Sequence, residues 1–155
     1  MRVESRARWV VVVLLVGLAL LPLLSVLSVL VPPLAPLERL FRPWFDLHCE
    51  RDPARTLTLL GVPLGVCARC SGIYFGLGLG AALRRPRLSP AATRAWVLLA
   101  AALMLADVAL ERYGWHGPAA PLRVLTGLLL AYPVGVGLAL LVQPTPTTTS
   151  AQNAP

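Results

Sequence analysis

Residues 9–31 contain no charged side chain and consist mainly of Val and Leu. Because an α-helix rises 1.5 Å per residue, about 20 residues span the ~30 Å hydrocarbon core of a bilayer. A cleaved signal peptide is the alternative, but its apolar region has about 7–15 residues and ends at small residues, whereas Val31 is followed by two prolines. We therefore predict a retained membrane anchor with a kink at Pro22.

The rest of the chain has the same apolar character. Of its 155 residues 57% are apolar, and the mean hydropathy is +0.72 despite a net charge of +7. A soluble domain of this size cannot bury so much apolar surface, so we predict an all-α integral membrane four-helix bundle surrounded by lipid. The predicted single domain covers residues 1–142, with spans at about 9–31, 62–83, 95–113 and 123–142. A short irregular segment is expected outside the membrane between spans one and two, and the Pro- and Thr-rich residues 143–155 are expected to be disordered.

Arginine is distributed unevenly between the two sides of the predicted bundle. The N-terminus and the connection between spans two and three carry one acid, Glu4, and seven arginines: Arg2, Arg6, Arg8, Arg84, Arg85, Arg87 and Arg94. The positive-inside rule therefore predicts a plasma (inner) membrane protein with both termini in the cytoplasm and residues 32–61 outside. Since the basic residues flank apolar stretches, no nucleic-acid partner is expected. The sequence is compatible with a homo-oligomer. The Lys-free composition, rich in Ala, Arg and Pro, indicates a bacterium with a GC-rich genome.

Small residues recur at intervals of four in two of the predicted spans. One row consists of Gly72, Gly76 and Gly80, and the other of Gly127, Ala131, Gly135 and Ala139. Because such rows allow close backbone approach in lipid, we predict that spans two and four pack along them. The alternative is that glycine is simply common in membrane helices.

Three cysteines form the most chemically distinctive pattern. Cys49 lies between His48 and Glu50, and after seventeen intervening residues Cys67 and Cys70 form a Cys-x-x-Cys pair. This spacing resembles that of zinc sites, in which three cysteines and His48 or Glu50 would complete a four-ligand shell. The hypothesis is therefore a metal site, with zinc preferred and iron or copper not excluded.

Two alternatives remain open for these cysteines. Cys67 and Cys70 are also suited to a thiol–disulfide oxidoreductase, since a helix N-terminus and Arg69 favour the thiolate, and Cys49 would then resolve the disulfide. Otherwise the cysteines are small buried apolar residues. Whether the protein is an enzyme is left undecided.

Charged residues within the predicted spans form a second group of candidates. Asp107 and Cys70 are expected at a similar depth, in the outer third of the membrane. Arg69 and Arg123 are the available partners of Asp107, and Thr126 follows at the start of span four. These residues predict either a structural ion pair, a group surrounding the metal site, or the path of a small transporter or lipid-handling protein. Arg55 is interpreted as a solvated surface residue and His116 as a turn residue.

The motifs themselves resemble a known family. Residues 49–56 and 63–76, with Cys67-Ala-Arg-Cys70 the most specific part, are similar to the predicted membrane proteins of domain of unknown function 2085. Asp107 and Arg123-Val-Leu-Thr126-Gly127 match later elements of the family pattern. One departure is Glu50, which stands where the family has His after the first Cys. The resemblance implies a small multi-helix membrane protein and no activity.

Overall fold

The structure, a computed structural model, describes residues 2–50, 52–83, 88–117 and 119–141, and side chains from residue 9 onward. It is mostly helical. The helices are α1 (Arg2–Leu20), α2 (Leu24–Leu30), α3 (Ala35–His48), α4 (Ala68–Leu83), α5 (Pro90–Arg112) and α6 (Ala120–Leu141), and the strands are β1 (Thr56–Leu59) and β2 (Val62–Cys67). The predicted tail at 143–155 and the arginines at 84, 85 and 87 lie outside the described residues.

Three stretches of helix are long and apolar enough to cross a membrane within the described part of the chain: Trp9–Leu30, Pro90–Arg112 and Ala120–Leu141. The first is interrupted by a single 3₁₀ turn over Leu21–Leu23, because Pro22 lacks the N–H that a continuous α-helix needs. α5 begins at a serine cap, where Ser89 Oγ accepts a hydrogen bond from the Ala92 N–H.

The predicted span at 62–83 is wrong over its first six residues, which form a strand, and the all-α prediction is confirmed only in part, because a small two-stranded sheet accompanies the helices. β1 and β2 form an antiparallel hairpin in which Thr56 is opposite Cys67 and Leu59 is opposite Val62. Leu60 and Gly61 both have positive φ, as a two-residue hairpin turn requires. A helix of 16 residues remains in α4, about 24 Å long. The four-span bundle is therefore not established: among the described residues three helices have the length and composition of membrane spans, and α4 is shorter than they are.

The segment between α2 and β1 is also more ordered than expected. Instead of an irregular connection, α3 is a helix with one buried face, on which Phe45 is only 1% exposed. The other apolar face of α3, formed by Leu40, Trp44 and Leu47, is exposed. The buried face decides the structure, because it packs Phe45 against Gly65 of β2 and edge-on to Tyr74 of α4.

The two rows of small residues lie against each other where α4 packs on α6. A methyl group at Gly72 would overlap the carbonyl of Val124, and one at Gly80 would overlap the carbonyl of Tyr132. From the other side, Gly127 meets the Arg69 carbonyl and Gly135 meets the Leu77 carbonyl. The backbones of α4 and α6 are therefore in direct contact, and the first two turns of α4 are held at a fixed position beside the second turn of α6.

Candidate metal centre

The three cysteines come from three different elements that meet at one end of the molecule. Cys49 follows the last residue of α3, Cys67 ends β2, and Cys70 lies in the first turn of α4. The hairpin brings them together, because its return strand places Cys67 beside Thr56 and so close to the end of α3. All three thiols are free, and their Sγ atoms lie within 4.8 Å of one another.

An apolar cluster packs against the thiols. Phe45, Cys49 and Val66 are buried together, and Cys67, Cys70 and Tyr74 pack against them. The Cys49 sulfur also accepts a hydrogen bond from the backbone N–H of Cys67, with an N–Sγ distance of 3.1 Å. The Cys49 sulfur is thus oriented by an amide donor, as the ligands of metal sites commonly are.

Hydrogen bonds between the thiols separate the acidities of Cys49 and Cys67. Their shared hydrogen bond lowers the pKa of Cys67, whose thiolate accepts it, and raises the pKa of Cys49, whose thiol donates it. Cys67 is therefore the thiol that ionises first, while Cys49 keeps its proton.

His48 and Glu50, the two predicted fourth ligands, are not brought into the thiol group. His48 is exposed, its Nδ1 lies 2.7 Å from the Trp44 carbonyl, and its ring contacts the Trp44 ring with centroids 4.5 Å apart. Glu50 is exposed as well. Both residues border the cavity beside the thiols without joining them.

A network of charged residues lies next to the cysteines. Arg69 Nη2 donates to Asp107 Oδ2 at 2.6 Å, and it lies 3.8 Å from Glu111 Oε2. Arg123 pairs with Glu111 rather than with Asp107. The side chains of Asp107 and Arg123 are each only 3% exposed, so this is an internal network that joins α4, α5 and α6.

Three members of this network were not among the predicted site residues. Glu111 is its central acid, and Arg55 reaches Glu111 Oε1 at 3.5 Å in addition to its exposed pair with Asp52. His116 Nε2 lies 3.7 Å from Asp107 Oδ1. The i, i+4 spacing of Asp107 and Glu111 was the available signal, since it puts both acids on one helix face. Thr126 does not join, because its hydroxyl donates to the Arg123 carbonyl of its own helix.

The thiols and the arginines face a common cavity of about 320 Å³. Its wall contains all three cysteines together with Arg55, Arg69 and Arg123, and it is completed by Ile73 and Met104. Three sulfur atoms and three guanidinium groups thus border one common space.

Known sequences that are similar to this chain identify its family. The sequence model of a family described as "Predicted membrane protein (DUF2085)" matches residues 49–140, which include every cysteine and the whole charged network. The chain belongs to this family. A relative from Methanothermobacter thermautotrophicus, whose name is given only as "Uncharacterized protein", is 37% identical over 103 residues, covering 64% of this chain and 87% of the relative. No solved structure matches the chain.

Membership of this family establishes a membrane protein and assigns no activity to it. The bacterial origin that the composition indicates stays a prediction. The expectation of no nucleic-acid partner and the possibility that the protein forms a homo-oligomer stay predictions as well.

Proposed function

We propose that this membrane protein binds one metal ion, with zinc preferred, through the thiolates of Cys49, Cys67 and Cys70. The observation that carries the proposal is the convergence of the three sulfurs, from three separate elements, to within 4.8 Å. At a Zn–S distance of about 2.3 Å, tetrahedral ligation needs sulfurs about 3.8 Å apart, so only shifts of about 1 Å are required. Soft thiolate ligands also suit copper(I) and iron, which the experiment below separates.

The surroundings support ligation over simple burial of small apolar residues. Cys67 and Cys70 are only partly buried and line a cavity with arginines, whereas cysteines that act as core residues lie in apolar surroundings. The N–H donated to the Cys49 sulfur is the kind of bond that orients a metal ligand.

The metal would have a structural consequence in this fold. It would join the end of α3 and the hairpin to the first turn of α4, and these extramembrane pieces share only a small core around Phe45 and Val66. Because ligation contributes directly to folding free energy, metal removal should loosen α3 and the hairpin first.

The test is elemental analysis of the purified protein together with titration of its thiols before and after chelation. We expect about one zinc per chain, thiols that react only after chelation, and loss of the metal in Cys49→Ser, Cys67→Ser and Cys70→Ser. Met104→Leu is the matched control, since Met104 borders the same cavity. Zinc is bound by thiolate, imidazole and carboxylate ligands and not by a thioether, so the zinc content should be unchanged in this variant.

The same measurements decide against the proposal if they find metal-free protein. Metal-free protein in which Cys67 and Cys70 cycle between thiol and disulfide would instead support the oxidoreductase alternative. A transport path through Asp107 and Arg123 has less support, because both side chains are engaged in ion pairs, with Arg69 and Glu111 respectively.

We further propose that α4, whose backbone packs directly on α6, crosses the membrane as a fourth span beside the three longer helices, so that both termini lie in the cytoplasm and this centre lies at the outer side of the plasma membrane. Support comes from the arginine distribution in the sequence and from the Arg55–Glu111 contact, which places the hairpin and the end of α5 on the same side. A green fluorescent protein fused after Pro155 should fluoresce, and an alkaline phosphatase fused there should be inactive. The reverse pair of results would invert the assignment.

A further inference from the structure

We infer that the metal in this centre keeps one coordination position for a small oxyanion, which binds in the cavity between the three thiolates and Arg55, Arg69 and Arg123. The inference rests on the proposed metal site and goes beyond it by naming the class of ligand. The oxyanion is a phosphate or carboxylate group, either free in solution or carried by a lipid headgroup.

The first argument is the number of protein ligands. In the described part of the chain, the group of potential ligand atoms within reach of one another contains three cysteines and no fourth Cys, His, Asp or Glu. His48 and Glu50 are both exposed and lie outside this group. Zinc sites that serve only structure are closed by four protein ligands, whereas sites with three protein ligands admit an external ligand.

The second argument is the space beside the thiols. The cavity of about 320 Å³ is bordered by all three cysteines, so a ligand entering it reaches the metal directly. Since a water molecule occupies about 30 Å³ in the liquid, the volume corresponds to roughly ten waters. It accommodates a phosphate or an acetate with its remaining hydration, and it is small for a large organic molecule.

The third argument is the charge of the cavity wall. Arg55, Arg69 and Arg123 border the cavity, and Glu50 is its only acidic side chain among the described residues. The acids Asp107 and Glu111 are not part of the wall. They pair with Arg69 and Arg123 and so fix these two guanidinium groups in place.

Each of the three arginines also pairs with an acid: Arg69 with Asp107, Arg123 with Glu111, and Arg55 with Asp52 on the exposed side, where solvent screens the interaction. Guanidinium groups bind phosphate and carboxylate through paired, charge-assisted hydrogen bonds, so the wall recognises planar or tetrahedral oxyanions.

The experiment uses the full-length protein in detergent with cobalt(II) in place of zinc, because cobalt absorption reports the ligands and their number. Inorganic phosphate and acetate are titrated at constant ionic strength, and perchlorate serves as the weakly coordinating reference. We expect a saturable change of the cobalt spectrum with phosphate or acetate. A parallel titration with water-soluble dihexanoyl phosphatidic acid, a phosphate carried by a lipid, identifies the headgroup as the source if only this compound acts.

The variants separate the inference from the metal site itself. Arg123→Gln should weaken anion binding by about 10- to 100-fold, since one charge-assisted hydrogen bond contributes about 1.5–3 kcal/mol, while cobalt content stays unchanged. Arg42→Gln, on the exposed face of α3 and away from the cavity, should bind the anion like the parent protein. His48→Ala and Glu50→Ala should leave the anion-free spectrum unchanged.

Three results would overturn the inference. A cobalt spectrum that none of the anions alters shows that no oxyanion binds the metal beside these arginines. A spectrum altered by His48→Ala or Glu50→Ala shows that the protein itself closes the coordination shell. Protein that takes up no cobalt removes the metal site, and the anion site with it, so that failure of the proposed function is recognised separately.

Discussion

Replacing Gly80 by alanine tests how closely α4 and α6 approach each other. A methyl group at Gly80 would overlap the Tyr132 carbonyl of α6 and lie 2.9 Å from the Val136 nitrogen. Both obstacles are backbone atoms, which cannot rotate away as a flexible side chain can. The helices must therefore separate, and the other glycine contacts along the row are weakened with them.

The expected magnitude follows from two opposing terms. Overpacking in a close-packed region costs about 1–3 kcal/mol, and the upper value applies because the clash is with backbone. Alanine is better than glycine in a helix by about 1 kcal/mol, which offsets part of this cost. We expect Gly80→Ala to lower the free energy of unfolding by about 2 kcal/mol. Gly137→Ala is the matched control, because no atom lies within 4 Å of its added methyl group.

The assay is loss of helical circular dichroism as sodium dodecyl sulfate replaces a mild detergent. Gly137→Ala should be neutral or slightly stabilising, since only the helix propensity acts. Gly127→Ala, whose methyl group meets the Arg69 carbonyl, should both destabilise the protein and reduce its metal content. Equal stabilities for Gly80→Ala and Gly137→Ala would refute the direct backbone contact between α4 and α6.

Two further predictions concern the charged network and the apolar cluster beside the thiols. Asp107→Ala removes one partner of a buried pair and should lower the free energy of unfolding by about 3–5 kcal/mol, whereas Asp52→Ala, at an exposed pair, should lower it by about 1 kcal/mol or less. Similar costs for the two variants in the same unfolding assay would contradict an internal network. Phe45→Ala should lower the free energy of unfolding by about 3–5 kcal/mol and increase the reactivity of Cys49 toward maleimide. Leu47→Ala, at a residue that is 78% exposed, should change neither quantity. An unreactive Cys49 in Phe45→Ala would show that the cluster does not support the thiol.

The membrane character of the chain is the part of the fold that sequence predicts best. Length and apolarity alone identify the helices at 9–30, 90–112 and 120–141, because these are the quantities a bilayer selects. The start of α4 is not predictable in this way. Residues 62–66 are an apolar run that suits a buried strand as well as a helix, and the turn at Leu60-Gly61 is a weak signal with Leu at its first position.

The helix α3 was missed for a different reason. Pro36 and Pro43 suggest an irregular segment, yet Pro36 lies in the first turn, where its missing N–H has no helical partner, and Pro43 is accommodated within the helix. What stabilises α3 is the burial of Phe45 against β2 and α4, and those partners are not identifiable from local sequence.

The candidate site shows the same division between local and tertiary information. Spacing proposes the three cysteines as one group, and the structure places them together. The partner of Asp107 was undecided between Arg69 and Arg123, because both are expected near its depth. Helix rotation decides it, since α4 directs Arg69 toward Asp107 while Arg123 reaches Glu111 one turn further along α5.

The meeting of the thiols also distinguishes two stages in the life of this protein. Insertion of the apolar helices into lipid needs none of the contacts among α3, the hairpin and α4, whereas the sulfur triangle exists only once all three have docked. After chelation, a bifunctional thiol reagent short enough to bridge about 5 Å would therefore join Cys49 to Cys67 or Cys70 in fully folded molecules and leave chains that are only inserted unlinked. Crosslinking of the native cysteines would thus report when α3, the hairpin and α4 have packed together in the bilayer.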